Sequence, residues 1–267
     1  MTRVLSGAAL IVLAVAVVWS GQRIVFESVA FLLLFAATYE LLTLFRAGGI
    51  LVPRWPATMA ALLTLGTFSG ILSSSFSFLT TDAVLMVVLI GLALVAMRTW
   101  RGGTDALSTI AASLFPSIYL ALPIGAMIAI REQGPRPLFL LMLTVIVSDT
   151  AQYYTGRLTG RHLLAPAISP KKTVEGAVGG VVFGTAVFAA AGAWWLPVVP
   201  LGMRVGLGIG LVVAGIAGDL FESMLKRSAG VKDSSSMIPG HGGILDRIDA
   251  LLFAAPLFYV AGHFIRI

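Results

Sequence analysis

Asp219, Asp246 and Asp249 are the residues of this chain best suited by type and spacing to do chemistry. In AGDLFESMLKR, a helical period sets Asp219, Glu222 or Ser223, and Lys226 close to one face, because residues three and four apart are neighbours. In LDRIDALL, Asp246 and Asp249 are three apart and share one face of a first helical turn. Three hard oxygen ligands at one depth are the composition expected of a Mg²⁺ site. Without a cation, three clustered carboxylates would repel one another strongly in a low-dielectric setting. Plainer readings exist for each half. Asp219 and Lys226 could form a buried pair, and carboxylates at a helix start complement the helix dipole.

Between these segments runs KRSAGVKDSSSMIPGHGG. Its Gly240, Gly242 and Gly243 can take backbone conformations closed to other residues, so that bare amides approach an anion. Lys226, Arg227, Lys232 and His241 supply donors suited to phosphate oxygens. Simple attraction to anionic lipid headgroups needs only positive charge, whereas this loop mixes in acids and glycines. A second polar stretch, SDTAQYYTGRLTGRHLLAPAISPKKTVEG, carries Asp149, then Arg157 and Arg161 four apart, then SPKKT just before an apolar run. There Ser169, Lys171, Lys172 and Thr173 could meet a second phosphate-bearing molecule, aided by free amides at the helix start. An ordinary basic cytoplasmic loop would account for the same residues. No GxxxxGK[ST] phosphate loop is present, and GLGIG at 206–210 lies inside an apolar run with no preceding strand, so it fails as a dinucleotide fingerprint.

The elements that must position these residues are membrane helices. The 267 residues are 58% hydrophobic and 11% charged, with a mean hydropathy of +0.98, far from the globular balance. Continuous apolar runs of about 20 residues predict an all-α, polytopic integral membrane protein with about nine transmembrane helices, near 5–20, 25–46, 57–77, 83–98, 106–130, 137–156, 174–198, 203–225 and 247–265. The first run has a signal-peptide-like basic start and apolar centre, but further spans follow and no clear cleavage site ends it. Barrel strands would instead alternate. The net charge of +6 would suggest nucleic acid in a soluble protein. Here most of the 18 Lys and Arg gather on the side that holds the N-terminus and the loops after even-numbered spans, and the positive-inside rule makes that side the cytoplasm. No nucleic-acid partner is expected. The absence of cysteine excludes disulfides and thiolate sites.

Ionisable residues are sparse in the spans of 1–130, expected to be scaffold, and denser in 131–267, expected to be the catalytic region with two polar cytoplasmic loops. Gly176, Gly180 and Gly184 repeat every fourth residue, as in stripes where membrane helices approach closely. Such stripes can also pack between chains, which leaves a homodimer open. Pro116 and Pro123 predict a kink in the fifth span.

The run S-x-L-K-R-x4-K-D-x-S-x2-I-P-x-H-G-G-x2-D-R-x-D over residues 223–249 resembles the signature of the phosphatidate cytidylyltransferase family, and GRLTGRHLLAPAISPKKTVEG is similar to its second characteristic stretch. The resemblance covers the second half strongly and the first half only in general hydrophobicity. It implies a reaction of CTP with phosphatidic acid, giving CDP-diacylglycerol and pyrophosphate with a divalent metal. On that basis Asp219, Asp246 and Asp249 are expected to hold Mg²⁺, with Ser223 nearby and a second cation such as K⁺ left open. Asp219, Asp246, Asp249, Lys226 and Arg227 are the expected catalytic residues. Lys232, His241, Ser169, Lys171, Lys172 and Thr173 are expected to bind substrate phosphates, with Asp149 a lesser candidate. The expected location is the inner, cytoplasmic membrane of a cell, among membrane lipids, with the N-terminus and the active site facing the cytoplasm. A CTP-dependent lipid-alcohol kinase would use similar residues but transfer the terminal phosphoryl group. Intramembrane carboxylates also mark ion-coupled transporters, but these charges crowd one membrane face.

Overall fold

In hydrocarbon, an apolar run can satisfy its backbone polar groups alone only by coiling into a helix. The computed structural model, which describes residues 12–69, 80–235 and 242–265, is built of such helices. We label them α1 (Arg23–Ala47), α2 (Arg54–Gly66), α3 (Thr81–Thr99), α4 (Ala106–Pro116), α5 (Leu122–Glu132), α6 (Pro135–Thr159), α7 (Val174–Trp195), α8 (Leu201–Ser228) and α9 (Leu245–Ile265). Among the described residues, seven helical stretches are long and apolar enough to cross a membrane: α1, α3, Ala106–Glu132, α6, α7, α8 and α9. This is a polytopic α-helical membrane protein. The expected spans 5–20 and 57–77 run into residues outside the described set. Their described parts are helical at 12–19 and over the 13 residues of α2, each shorter than a span requires.

The chain divides into two compact units, residues 1–128 with 228–246, and 129–227 with 247–267. In the first, Leu34, Ala37 and Leu41 of α1 and Ala57, Ala61 and Leu65 of α2 are fully buried, at helical spacing. Val84, Val88 and Leu92 of α3 pack with Ala60 of α2 and Leu114 of α4. The opposite side of α3 exposes Met86, Val87, Ile90, Leu94 and Met97. Such a surface is ruinous in water and ordinary in lipid. Pro116 lacks an amide proton, and the helix answers with a π-helical turn, Ser117–Ala121, between α4 and α5.

The second unit is organised by small residues. A Cβ on Gly180 would sit 2.5 Å from Gln152 Cγ and 3.0 Å from Ser148 Oγ of α6, and one on Gly176 would sit 2.8 Å from the Gln152 carbonyl oxygen. Gly184 stands against Val212 of α8, 2.6 Å from where its Cβ would be. The glycine stripe thus does what its spacing predicts, bringing α7 against both neighbours. Phe188 of α7 and Phe258 of α9 meet edge to face at 5.8 Å between centroids. One element departs from the all-α expectation. The loop after α6 forms an antiparallel hairpin, β1 (Leu163–Ala165) and β2 (Ser169–Thr173), with Leu163 opposite Thr173 and Ala165 opposite Ser169. Helical periodicity carries no signal for so short a pairing.

Candidate functional site

The hairpin determines which lysine reaches the acidic cluster. Successive strand residues point to opposite faces, so Lys171 is exposed while Lys172 turns inward and forms an ion pair with Asp219 of α8. Asp219 does not stand alone. Asp249, near the start of α9, interacts electrostatically with Asp219, Asp149 and Lys226, and Asp149 of α6 with Asp219 and Lys172. Asp149 Oδ1 accepts a hydrogen bond from Gln152 Nε2 at 3.0 Å, and Asp249 Oδ1 accepts from the Ala250 amide at 2.7 Å. Gly218 permits the approach of α9, since a Cβ there would lie 2.5 Å from the Asp249 carbonyl oxygen. Three helices and one strand thus assemble three carboxylates and two lysines within the second unit. Asp149, the lesser candidate from sequence, belongs to this cluster.

The hairpin is itself pinned. Thr173 caps α7, its hydroxyl accepting from the Gly176 amide at 3.1 Å. Glu175, which sequence reasoning passed over, accepts from the Arg161 amide at 3.0 Å and the His162 amide at 3.2 Å, and its other oxygen lies 2.6 Å from His162 Nδ1. Arg227 Nε donates to the Ile168 carbonyl at 3.4 Å, tying the end of α8 to the hairpin turn. Lys226 forms an ion pair with Glu222, a fully buried carboxylate one turn earlier. Ser223 lies half-buried beside it, and Ser169 is half-buried at the start of β2.

The polar loop before α9 falls in the first unit. Asp246 Oδ2 accepts from the Gly243 amide at 2.7 Å, the Ser234 hydroxyl at 2.9 Å and the Ser234 amide at 3.3 Å. Lys232 is exposed, and His241 lies outside the described residues. Among the described residues, no group of three or more His, Cys, Asp or Glu side chains could hold a metal ion. Within their own units, Asp219 pairs with Lys172 and Asp246 is held by its own loop. The oxygen-only donors still suit a hard cation, because Mg²⁺ is usually bound by one or two carboxylates, with water and substrate phosphate completing the shell. Sequence reasoning also missed Glu40 of α1, a carboxylate buried in the first half of the chain. Its signal was present, since an acid inside an apolar span is costly and rarely idle.

The chain is 42% identical over 148 residues to the phosphatidate cytidylyltransferase of Aquifex aeolicus, covering 55% of each chain. It is 33% identical over 233 residues to the protein of that name from Mycobacterium bovis, covering 82% of this chain and 74% of the relative. To that of Brucella suis it is 36% identical over 179 residues, covering 64% and 62%. The first of these alignments spans about half the length of the relative, the second about three quarters. A sequence model of the cytidylyltransferase family matches residues 1–265, and with it the acidic cluster, the lysine-bearing hairpin and the polar loop: the chain belongs to the cytidylyltransferase family.

Proposed function

We propose that this chain transfers the cytidylyl group of CTP to the phosphate of phosphatidic acid, forming CDP-diacylglycerol and releasing pyrophosphate. The observation that carries this reading is the inward lysine of the hairpin, Lys172, paired with Asp219 beside Asp149 and Asp249. The lipid phosphate is already an anion at neutral pH, so its oxygen needs no strong base to attack the α-phosphorus. A new P–O bond forms, the bond from the α-phosphorus to the bridging oxygen breaks, and pyrophosphate leaves with that electron pair. The difficulty lies in bringing anions together, which positioning and charge neutralisation address. Lys172 and Lys226 are side chains suited to that task, and the exposed Lys171 and Lys232 suit the approach of anionic substrate.

Asp219, Asp246 and Asp249 would hold Mg²⁺. The ion would neutralise charge on the phosphoryl oxygens. The relatives are bacterial, which supports placement in the inner membrane. The crowding of Lys and Arg on the side of the polar loops supports a cytoplasmic active site and an inside N-terminus.

The test is to incubate purified protein with phosphatidic acid, Mg²⁺ and CTP labelled at the α- or the γ-phosphate. Label from the α-position in the lipid fraction, with release of pyrophosphate and loss of both on chelation, is expected. Lipid labelled from the γ-position, or no labelled lipid, would overturn the proposal.

A further inference from the structure

Glu40 sits in the middle of the apolar run FLLLFAATYELLTLF, is only 1% exposed, and receives four hydrogen bonds from residues some 200 positions away. Its Oε1 accepts from the Ser235 hydroxyl at 2.5 Å and the Ile244 amide at 3.0 Å. Its Oε2 accepts from the Ser234 hydroxyl at 3.2 Å and the Leu245 amide at 2.8 Å. Each oxygen thus takes one hydroxyl from the near side of the polar loop and one amide from the far side. The Ile244 and Leu245 amides lie at the start of α9, where backbone N–H groups lack helical partners and face the positive end of the dipole. A carboxylate from a distant helix serves as their cap.

Two details show that the contact is built. Gly243 must be glycine for it to form, since a Cβ there would lie 2.6 and 2.7 Å from the two Glu40 oxygens and collide with the Ser234 hydroxyl. The Ser234 hydroxyl is also shared, standing between Glu40 Oε2 and Asp246 Oδ2. Whatever holds Ser234 and Gly243 therefore holds Asp246.

We propose that Glu40 is a positioning residue: it closes the base of the polar loop and, through Ser234 and the start of α9, sets the Asp246 carboxylate for the reaction. The catalytic half of this statement rests on the cytidylyl-transfer reading; the latch itself does not. Glu40→Gln keeps the size but turns one acceptor into an NH₂ group facing donors. In lipid nanodiscs, this variant should speed amide hydrogen exchange at Ile244 and Leu245 by about tenfold or more, the scale of a lost charged hydrogen bond. The amide of Thr144 in α6 should be unchanged. The kcat for liponucleotide formation should fall about tenfold or more, with little change in KM for CTP, and Glu40→Asp should recover part of it by restoring the charge. If Glu40→Gln does not fold, Ser235→Ala removes one bond and should raise exchange at the same two amides by a smaller factor. Wild-type protection at Ile244 and Leu245 in the folded variants would overturn the latch. Faster exchange with unchanged kcat would overturn the positioning role. If the wild-type protein makes no liponucleotide, the cytidylyl-transfer reading falls by itself, and with it the positioning role, while exchange still decides the latch.

Discussion

Replacing Lys172 by Met tests how the hairpin and the acidic cluster depend on each other. Met keeps an unbranched chain of similar length and removes the ammonium, so Asp219 is left beside Asp149 and Asp249 with its cation gone. The side chains of Lys172 and Asp219 are 22% and 28% exposed, between the two measured regimes. Breaking a buried pair by removing one partner costs about 3–5 kcal/mol, and an exposed pair contributes about 0–1 kcal/mol. Allowing for solvent screening, we take a cost of about 2 kcal/mol, a factor of about 30 in an equilibrium constant. The assay is equilibrium unfolding in mixed micelles of four proteins: wild type, Lys172→Met, Asp219→Asn and the double variant. Asn at 219 carries no charge to be stranded, so the double variant should lose less than the sum of the singles, by about 1–2 kcal/mol. Effects that add within about 0.5 kcal/mol would show that the two groups do not interact, and the electrostatic account of the site would fail with them.

Three other expectations follow from the same geometry. Asp249→Asn removes a like charge without changing volume, so stability should equal or exceed wild type while liponucleotide formation drops by about 100-fold or more; normal turnover would remove Asp249 from the site. Thr173→Ala deletes the cap of α7 at a cost of about 1 kcal/mol, read by unfolding, and an unchanged midpoint would mean that the cap is not in place. Gly180→Val drives a side chain into Gln152, the donor to Asp149, and should destabilise by about 1–3 kcal/mol through overpacking; an undisturbed protein would show that α6 and α7 are further apart than described.

What sequence alone determined about this protein is what local and periodic physics dictates. Apolar runs announced the membrane helices because backbone groups in lipid have few ways to be satisfied, and the glycine stripe of α7 announced close packing because its every-fourth spacing places all three on one face. Residue chemistry likewise pointed to the acids of α8 and α9 and to the basic SPKKT segment, where phosphates would have to be handled. Tertiary structure decided which of these groups meet. Lys172 rather than Lys171 faces Asp219 because SPKKT folds as a strand, an outcome that depends on pairing with Leu163–Ala165. Asp149 enters the cluster on α6, which glycines let come close to α7, and Asp246 accepts from Ser234 and Gly243 of its own loop. Glu40 lay hidden in the half of the chain read as scaffold, since its partners are some 200 residues away. Periodicity reports which side of an element a residue occupies, and only packing decides what stands opposite.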